Sequence, residues 1–343
     1  MPCYHPLKAF VTGYDENGVK KLRFLRKGED FDSYTKEHYK DKCLLLPCGQ
    51  CLGCRLEYSR QWAMRCALEA SQYEHNYFLT LTYDGKFLPL NAVAKINKST
   101  GEVTTELKST LVKRHVQLFM KRLRKYIKAK YGHTGVRFYA CGEYGSKNGR
   151  AHYHLILFNC PLELEFFNAK DGFTYYTSPD ISKTWVTGKD DPVEGLEFGF
   201  HLVSEFTFDT AAYVARYMLK KHKGLDSGYY EENGIAPEFT TCSRRPGIGR
   251  AFFDANVDKI YDFDSITIPQ LNGSLTCKPP KYYDKILAEK YPEIMEQVKG
   301  IRSDWLEIEN GKAMMHTDLD EDEYRVVCEQ NKSLSIQSLV RNL

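Results

Sequence analysis

The chain lacks the marks of a membrane or exported protein. No apolar run approaches the roughly twenty residues needed to cross a bilayer, and no charged-then-apolar leader opens it. A Gly-x-x-x-x-Gly-Lys-Ser/Thr loop is missing as well, so no helicase motor of its own is expected. Glycine (24) and proline (13) fall far below the share that marks low-complexity chain, and no internal repeat is found. Net charge is small: 48 Lys and Arg against 45 Asp and Glu leave +3 over 343 residues. What the chain does have is aromatic and thiol groups. With 24 Tyr and 19 Phe it can build one large core, with extensions. Its 11 Cys are odd in number, and without a leader they point to a reducing compartment, where thiols bind metals rather than form disulfides.

The charge is unevenly spread. Residues 108 to 130 carry nine Lys or Arg and no acid, with Val112, Val116, Phe119, Leu123 and Tyr126 at helical spacing. This predicts an amphipathic helix with a cationic outer face suited to phosphates. Lys113, Arg114, Lys121 and Arg124 are its candidate DNA contacts. Residues 303 to 324 are the reverse, with eight Asp or Glu against one Lys. They read as a solvated tail or partner site without chemistry.

Ala151-His152-Tyr153-His154-Leu155-Ile156-Leu157-Phe158-Asn159 has no Gly or Pro and reads as a largely buried strand. Period-two geometry turns His152 and His154 out of one face. Two imidazoles on a rigid strand can hold a divalent ion and leave coordination positions open, as catalytic sites require. Residues 136 to 141 read as another strand, ending at the turn-like Gly142-Glu143-Tyr144-Gly145. If the two strands pair, Glu143 falls beside the histidines, and a carboxylate with two imidazoles suits Mg²⁺ or Mn²⁺.

Cys48-x-x-Cys51-x-x-Cys54 has metal-binding spacing. Three thiolates leave one ligand to find for tetrahedral Zn²⁺; Cys3 is the first candidate, with His5 and Cys43 behind it. Residues 210 to 222 contain no Gly or Pro and predict a helix, with Asp209 and Thr210 as N-cap. Tyr213 and Tyr217, four apart, then share a face with Cβ atoms about 5–6 Å from each other, and Lys220 follows one turn on. A phenol is a weak nucleophile at neutral pH and needs a nearby cation. Arg244 and Arg245, on the stiff Ser243-Arg244-Arg245-Pro246-Gly247-Ile248-Gly249 loop, are further candidates to grip DNA, as are Arg150 and Arg216.

Taken in order, Phe78-Leu79-Thr80-Leu81-Thr82-Tyr83, then Gly142-Glu143-Tyr144-Gly145 with Arg150 to His154, then Tyr213 to Lys220 resemble the rolling-circle replication initiators of the HUH endonuclease superfamily. The segment from Pro47 to Arg55, Trp62 with Arg65 and Cys66, and the 243–249 loop narrow the likeness to initiators of gokushoviruses, the small single-stranded DNA phages within the Microviridae. The likeness covers roughly residues 1 to 255. Two positions depart: Arg216 stands where the family tends to have lysine before the second tyrosine, and Ala151 where proline is common before the first histidine.

The resemblance implies an α+β fold, an antiparallel central sheet with flanking helices, the metal on its open face and the tyrosine helix across it. It implies that Tyr213 or Tyr217, assisted by Lys220, forms a 5′-phosphotyrosine with single-stranded origin DNA of a circular phage genome. A host helicase and host replication proteins would be partners, in the host bacterial cytoplasm. Residues 1–55 are expected as a Cys-rich zinc module, 56–223 as the nicking domain, and 224–343 as an extension carrying the basic loop 243–250 and the acidic segment. Within these the residues read as a helix over Leu56–Tyr73, a polar loop over 84–107, a variable region over 160–198 and a helix over 281–299. The rival readings are a transposase or relaxase of the same superfamily, and a zinc-dependent single-stranded nucleic-acid binder without catalysis.

Overall fold

The computed structural model describes residues 3–16, 18–25, 43–97, 99–170, 173–189, 191, 193–216, 228–270 and 273–340. The chain divides into two compact units, Met1–Tyr58 with Gly300–Leu343, and Ser59–Lys299.

In the first unit, β1 (Leu7–Tyr14) pairs antiparallel with both β2 (Lys20–Phe24) and β3 (Cys43–Leu46). The cysteine segment leads into α1 (Leu52–Ala70), which begins four residues before the expected Leu56.

The second unit is built on a seven-stranded sheet, antiparallel throughout as expected. In chain order the elements are β4 (Tyr77–Leu81), β5 (Leu90–Ile96), β6 (Val103–Ser109), α2 (Lys113–Tyr131), β7 (Arg137–Tyr144), β8 (Ala151–Phe158), β9 (Glu165–Lys170) and β10 (Phe173–Thr177). The short α3 (Pro179–Ser182), β11 (His201–Glu205), α4 (Phe208–Arg216), short α5 (Tyr229–Glu232) and β12 (Phe239–Cys242) follow. Strand order across the sheet is β12-β7-β8-β4-β11-β10-β9. Later in the chain this unit adds α6 (Arg250–Asp262), the hairpin β13 (Ile266–Gln270) and β14 (Gly273–Cys277), and α7 (Lys281–Lys290); α8 (Pro292–Met314) runs across the division at Gly300, and α9 (Glu321–Val340) belongs to the first unit.

Strand β8 is apolar almost throughout because both its faces are covered. On one face Tyr153, Leu155 and Leu157, with Leu79 and Leu81, meet Val116, Phe119, Met120, Leu123 and Ile127 of α2. Burying those five helix side chains contributes on the order of 10 kcal/mol. On the other face Tyr139, Cys141, Ile156 and Phe158 meet Ala63, Cys66 and Ala70 of α1 and Ala211 and Val214 of α4. The small residues let both helices lie close to the sheet.

Four local expectations change. The segment expected as a polar loop, 84–107, contains the β5–β6 hairpin, whose strands pair with each other and leave most of their side chains in solvent. The variable region 160–198 contributes β9 and β10 to the main sheet. The helix expected over 281–299 is two helices, broken where Pro292, which has no N–H to donate, opens α8. Helix α4 starts at Phe208, capped by Thr207 rather than by Asp209 and Thr210: Thr210 N–H donates to Thr207 Oγ1 (3.1 Å) and Thr207 N–H to Thr210 Oγ1 (2.9 Å). Among the described residues no helix is long and apolar enough to cross a membrane.

Candidate functional site

The β7–β8 hairpin sets Glu143 opposite His152 and Cys141 opposite His154. All four side chains therefore leave the same face, the one that α1 and α4 cover. Glu143 is in the strand itself, one residue past Gly142, where any Cβ would run into Phe239 and Leu111. Its Oε1 meets His152 Nε2 at 2.6 Å and His154 Nε2 at 3.2 Å. Glu143 and His154 are buried and His152 is half-buried. Burial pushes the Glu143 carboxyl up, but hydrogen bonds and positive charge from the two imidazoles outweigh it and hold the pKa at about 2.

The far nitrogens are anchored too. His152 Nδ1 lies 3.0 Å from the Arg150 carbonyl, and His154 Nδ1 lies 3.0 Å from Thr80 Oγ1 on β4. The hydrogen bonds to Glu143 require Nε2–H; a cation taking their place would leave each imidazole protonated at Nδ1, held by the Arg150 carbonyl and Thr80, with both Nε2 lone pairs on the ion, the arrangement metal-binding imidazoles adopt. One donor atom from each of Glu143, His152 and His154 lies within 4.8 Å of the others. Two nitrogens and a carboxylate oxygen converging on one point fit a divalent cation. Thr80 was not assigned this part from sequence. The β4–β8 register, which sets it opposite His154, supplies the missing signal.

Helix α4 brings Tyr213 to this face. Its ring lies 5.6 Å from that of His154 and 6.1 Å from that of Phe78, edge-on to both. Phe78 in turn stacks on His154 at 5.4 Å. Tyr217, Lys220 and the Arg216 side chain lie outside the described residues.

The first unit holds a second cluster. The Sγ atoms of Cys3, Cys48, Cys51 and Cys54 all lie within 4.8 Å of one another. Backbone N–H groups point at the sulfurs: Tyr4 to Cys51 (3.4 Å), Cys48 to Cys3 (3.3 Å), Cys51 to Cys48 (3.3 Å) and Cys54 to Cys51 (3.5 Å). Burial opposes ionisation of Cys51, yet donation from Cys54, Tyr4 and neighbouring groups draws it down to about 7. Burial and the neighbouring thiols push Cys54 up to about 12. The spacing and N–H donors fit a thiolate-bound metal. Cys3 supplies the fourth thiol, while His5 turns to Glu329 at 2.5 Å.

The basic candidates separate. Because the apolar stripe of α2 covers the opposite face of the sheet, Lys113, Arg114, Lys121 and Arg124 lie across the sheet from Glu143 and the histidines. Arg150 Nη2 donates to the Tyr83 carbonyl at 2.9 Å. Arg124 Nε donates to the Val136 carbonyl at 2.9 Å and Nη2 to Ser243 Oγ at 3.3 Å, which joins α2 to the 243–249 loop. Arg244 and Arg245 are exposed, whereas Arg250 pairs with Asp254 at 2.7 Å.

The site is thus an antiparallel sheet carrying a metal-competent Glu-His-His group beneath a tyrosine-bearing helix. Comparison with known proteins gives the family. The family model described as Replication-associated protein ORF2/G2P matches residues 76–222. The chain is 36% identical over 251 residues to Replication-associated protein ORF2 of Spiroplasma virus 4, covering 72% of this chain and 69% of that one. It is 27% identical over 298 residues to Replication-associated protein VP4 of Bdellovibrio phage phiMH2K, covering 85% and 79%. With Replication-associated protein ORF4 of Chlamydia phage 1 it shares 32% over 198 residues, covering 56% and 42%. No solved structure matches significantly. The chain belongs to this family of phage replication-associated proteins, in agreement with the gokushovirus resemblance.

Proposed function

We propose that the protein initiates rolling-circle replication by nicking single-stranded origin DNA and later rejoining the ends. The observation that carries this reading is the Tyr213 ring beside His154 over three converging donor atoms. Mg²⁺ or Mn²⁺ held by Glu143, His152 and His154 would supply positive charge to a phosphate oxygen. Tyr213 or Tyr217 gives up its phenolic proton and its oxygen attacks phosphorus. The bond from phosphorus to the 3′ oxygen breaks, that oxygen takes a proton, and a 5′-phosphotyrosine remains. One phosphoester bond forms for each one broken, so the free 3′-OH can reverse the step without ATP. Lys220, three residues beyond Tyr217 in sequence, favours the phenolate.

A second tyrosine four residues from the first in sequence lets a new strand be cut while the first is still occupied. With no nucleotide-binding loop of its own the protein relies on a host helicase, and it acts in the host bacterial cytoplasm. The four-cysteine cluster holds Zn²⁺ in a structural role. Arg150, Arg216 and the basic residues of α2 and the 243–249 loop contact the DNA backbone.

The test incubates the full-length protein with labelled single-stranded origin DNA, with Mn²⁺ or with EDTA. An EDTA-sensitive covalent adduct that survives Tyr213→Phe or Tyr217→Phe alone and vanishes in the double variant is expected. DNA binding without nick or adduct would sink the proposal in favour of a non-catalytic binder.

A further inference from the structure

At the end of the central sheet where β7 and β12 meet the 243–249 loop lies a cleft of about 790 Å³, lined by Tyr73, Arg124, Arg137, Ser243, Arg244 and Arg245 among others. It is not the metal-competent site. Arg137 lies six residues before Glu143 on β7, about 20 Å along an extended strand.

The loop that forms one wall is held by its backbone. Arg65, with its guanidinium over the rings of Trp62 (4.2 Å) and Tyr282 (3.9 Å), donates to the Ile248 carbonyl at 3.0 Å. Tyr283 donates to the Gly249 carbonyl at 2.6 Å, and Gly249 N–H donates to Glu69 at 2.6 Å. Arg137 donates through Nη2 to the Pro246 carbonyl at 2.7 Å while its Nε binds Glu69. At Gly247 a Cβ would collide with the Tyr282 hydroxyl. Motifs far apart in sequence, around Trp62 and Arg65 and around Ser243, are thus one construction.

That construction presents charge without neutralising it. Glu69 answers Arg137. Among the described residues neither Arg244 nor Arg245, adjacent and exposed, has a carboxylate partner. Adjacent like charges on a fixed loop repel unless an anion sits between them. Guanidinium forks with an aromatic wall, here Tyr73, match a phosphodiester strand with unstacked bases.

We propose that this cleft is a second single-stranded DNA site, gripping backbone phosphates of the bound strand at a distance from the linkage being cut. It rests on the nicking reading above for its purpose, and it holds the strand through the interval when only one phosphotyrosine joins protein to DNA.

The test is fluorescence anisotropy of full-length protein with a labelled single-stranded oligonucleotide, in EDTA so that no nicking intervenes. Replacing both residues, Arg244→Ala with Arg245→Ala, should weaken binding about tenfold or more and lower the slope of log K against log salt by about 1.4, the value for two phosphate contacts. Unchanged affinity and slope would overturn the proposal. A second measurement needs no variant: neutral methylphosphonate linkages scanned along the strand should lower wild-type affinity in two separated clusters, and a single cluster would overturn it. Because neither readout requires cleavage, failure to nick would remove the enzymatic reading while leaving the cleft to be judged separately.

Discussion

The Cys3-Cys48-Cys51-Cys54 cluster and the Glu143-His152-His154 cluster differ in number, softness and footing. The first offers four sulfurs from a loop and the start of a helix, enough to close a tetrahedral shell. The second offers three harder atoms from two paired strands, with the remaining positions open to a phosphate oxygen and water. The first set of ligands is brought together from Cys3 and Cys48, 45 positions apart in the chain, so binding a metal there would also be folding. The second is set by strand register and needs no metal to persist. On the proposed reading, one chain thus separates a metal that shapes from a metal that reacts.

The largest expected effect would break this distinction at the thiol cluster. Cys51→Ser should abolish retention of zinc, which contributes on the order of 10 kcal/mol to folding in isolated zinc peptides. Metal analysis and limited proteolysis of residues 1–58 check it; a variant that keeps its protease resistance would leave the cluster without a structural role. Next, His154→Ala should slow adduct formation about 1,000-fold or more, corresponding to about 4 kcal/mol of barrier, with an unchanged unfolding midpoint. A large fall in that midpoint would assign His154 to stability. Comparable in energy is Glu69→Ala, which strands Arg137 and the Gly249 N–H and should cost about 3–5 kcal/mol in denaturant unfolding. A loss below 1 kcal/mol would contradict the account of the loop. The smallest is Thr80→Val, which removes the partner of His154 Nδ1 and should weaken Mn²⁺ binding about 10- to 100-fold. Calorimetric titration with unaltered affinity would show that Thr80 does not orient the ring.

The Glu-His-His hairpin was legible because its pattern is local. Glu143, His152 and His154 fall within twelve residues, and strand alternation places them on one face. The basic helix was legible as a helix, but its eight cations gave no hint of which sheet face it would cover. Only its packing against Tyr153, Leu155 and Leu157 shows that the cations lie across the sheet from the histidines. The β5–β6 hairpin was missed for the opposite reason: with hardly any buried side chain, neither strand shows the apolar alternation that marks a half-buried sheet. Thr80 and Glu69 were missed because each acts through a partner distant in sequence, His154 and Arg137, and only the assembled sheet and helix bring the pairs together.

The same locality has a consequence in time. Hairpins form within about 1–10 μs, whereas Tyr213 must be carried in over about sixty residues of intervening chain. The ligand cradle should therefore close before the nucleophile docks. Pulse-labelled hydrogen exchange should find β7 and β8 protected ahead of α4, and equal protection times would refute that order. On the nicking reading proposed above, a chain stalled between the two events would take up metal and grip DNA while remaining unable to cut it.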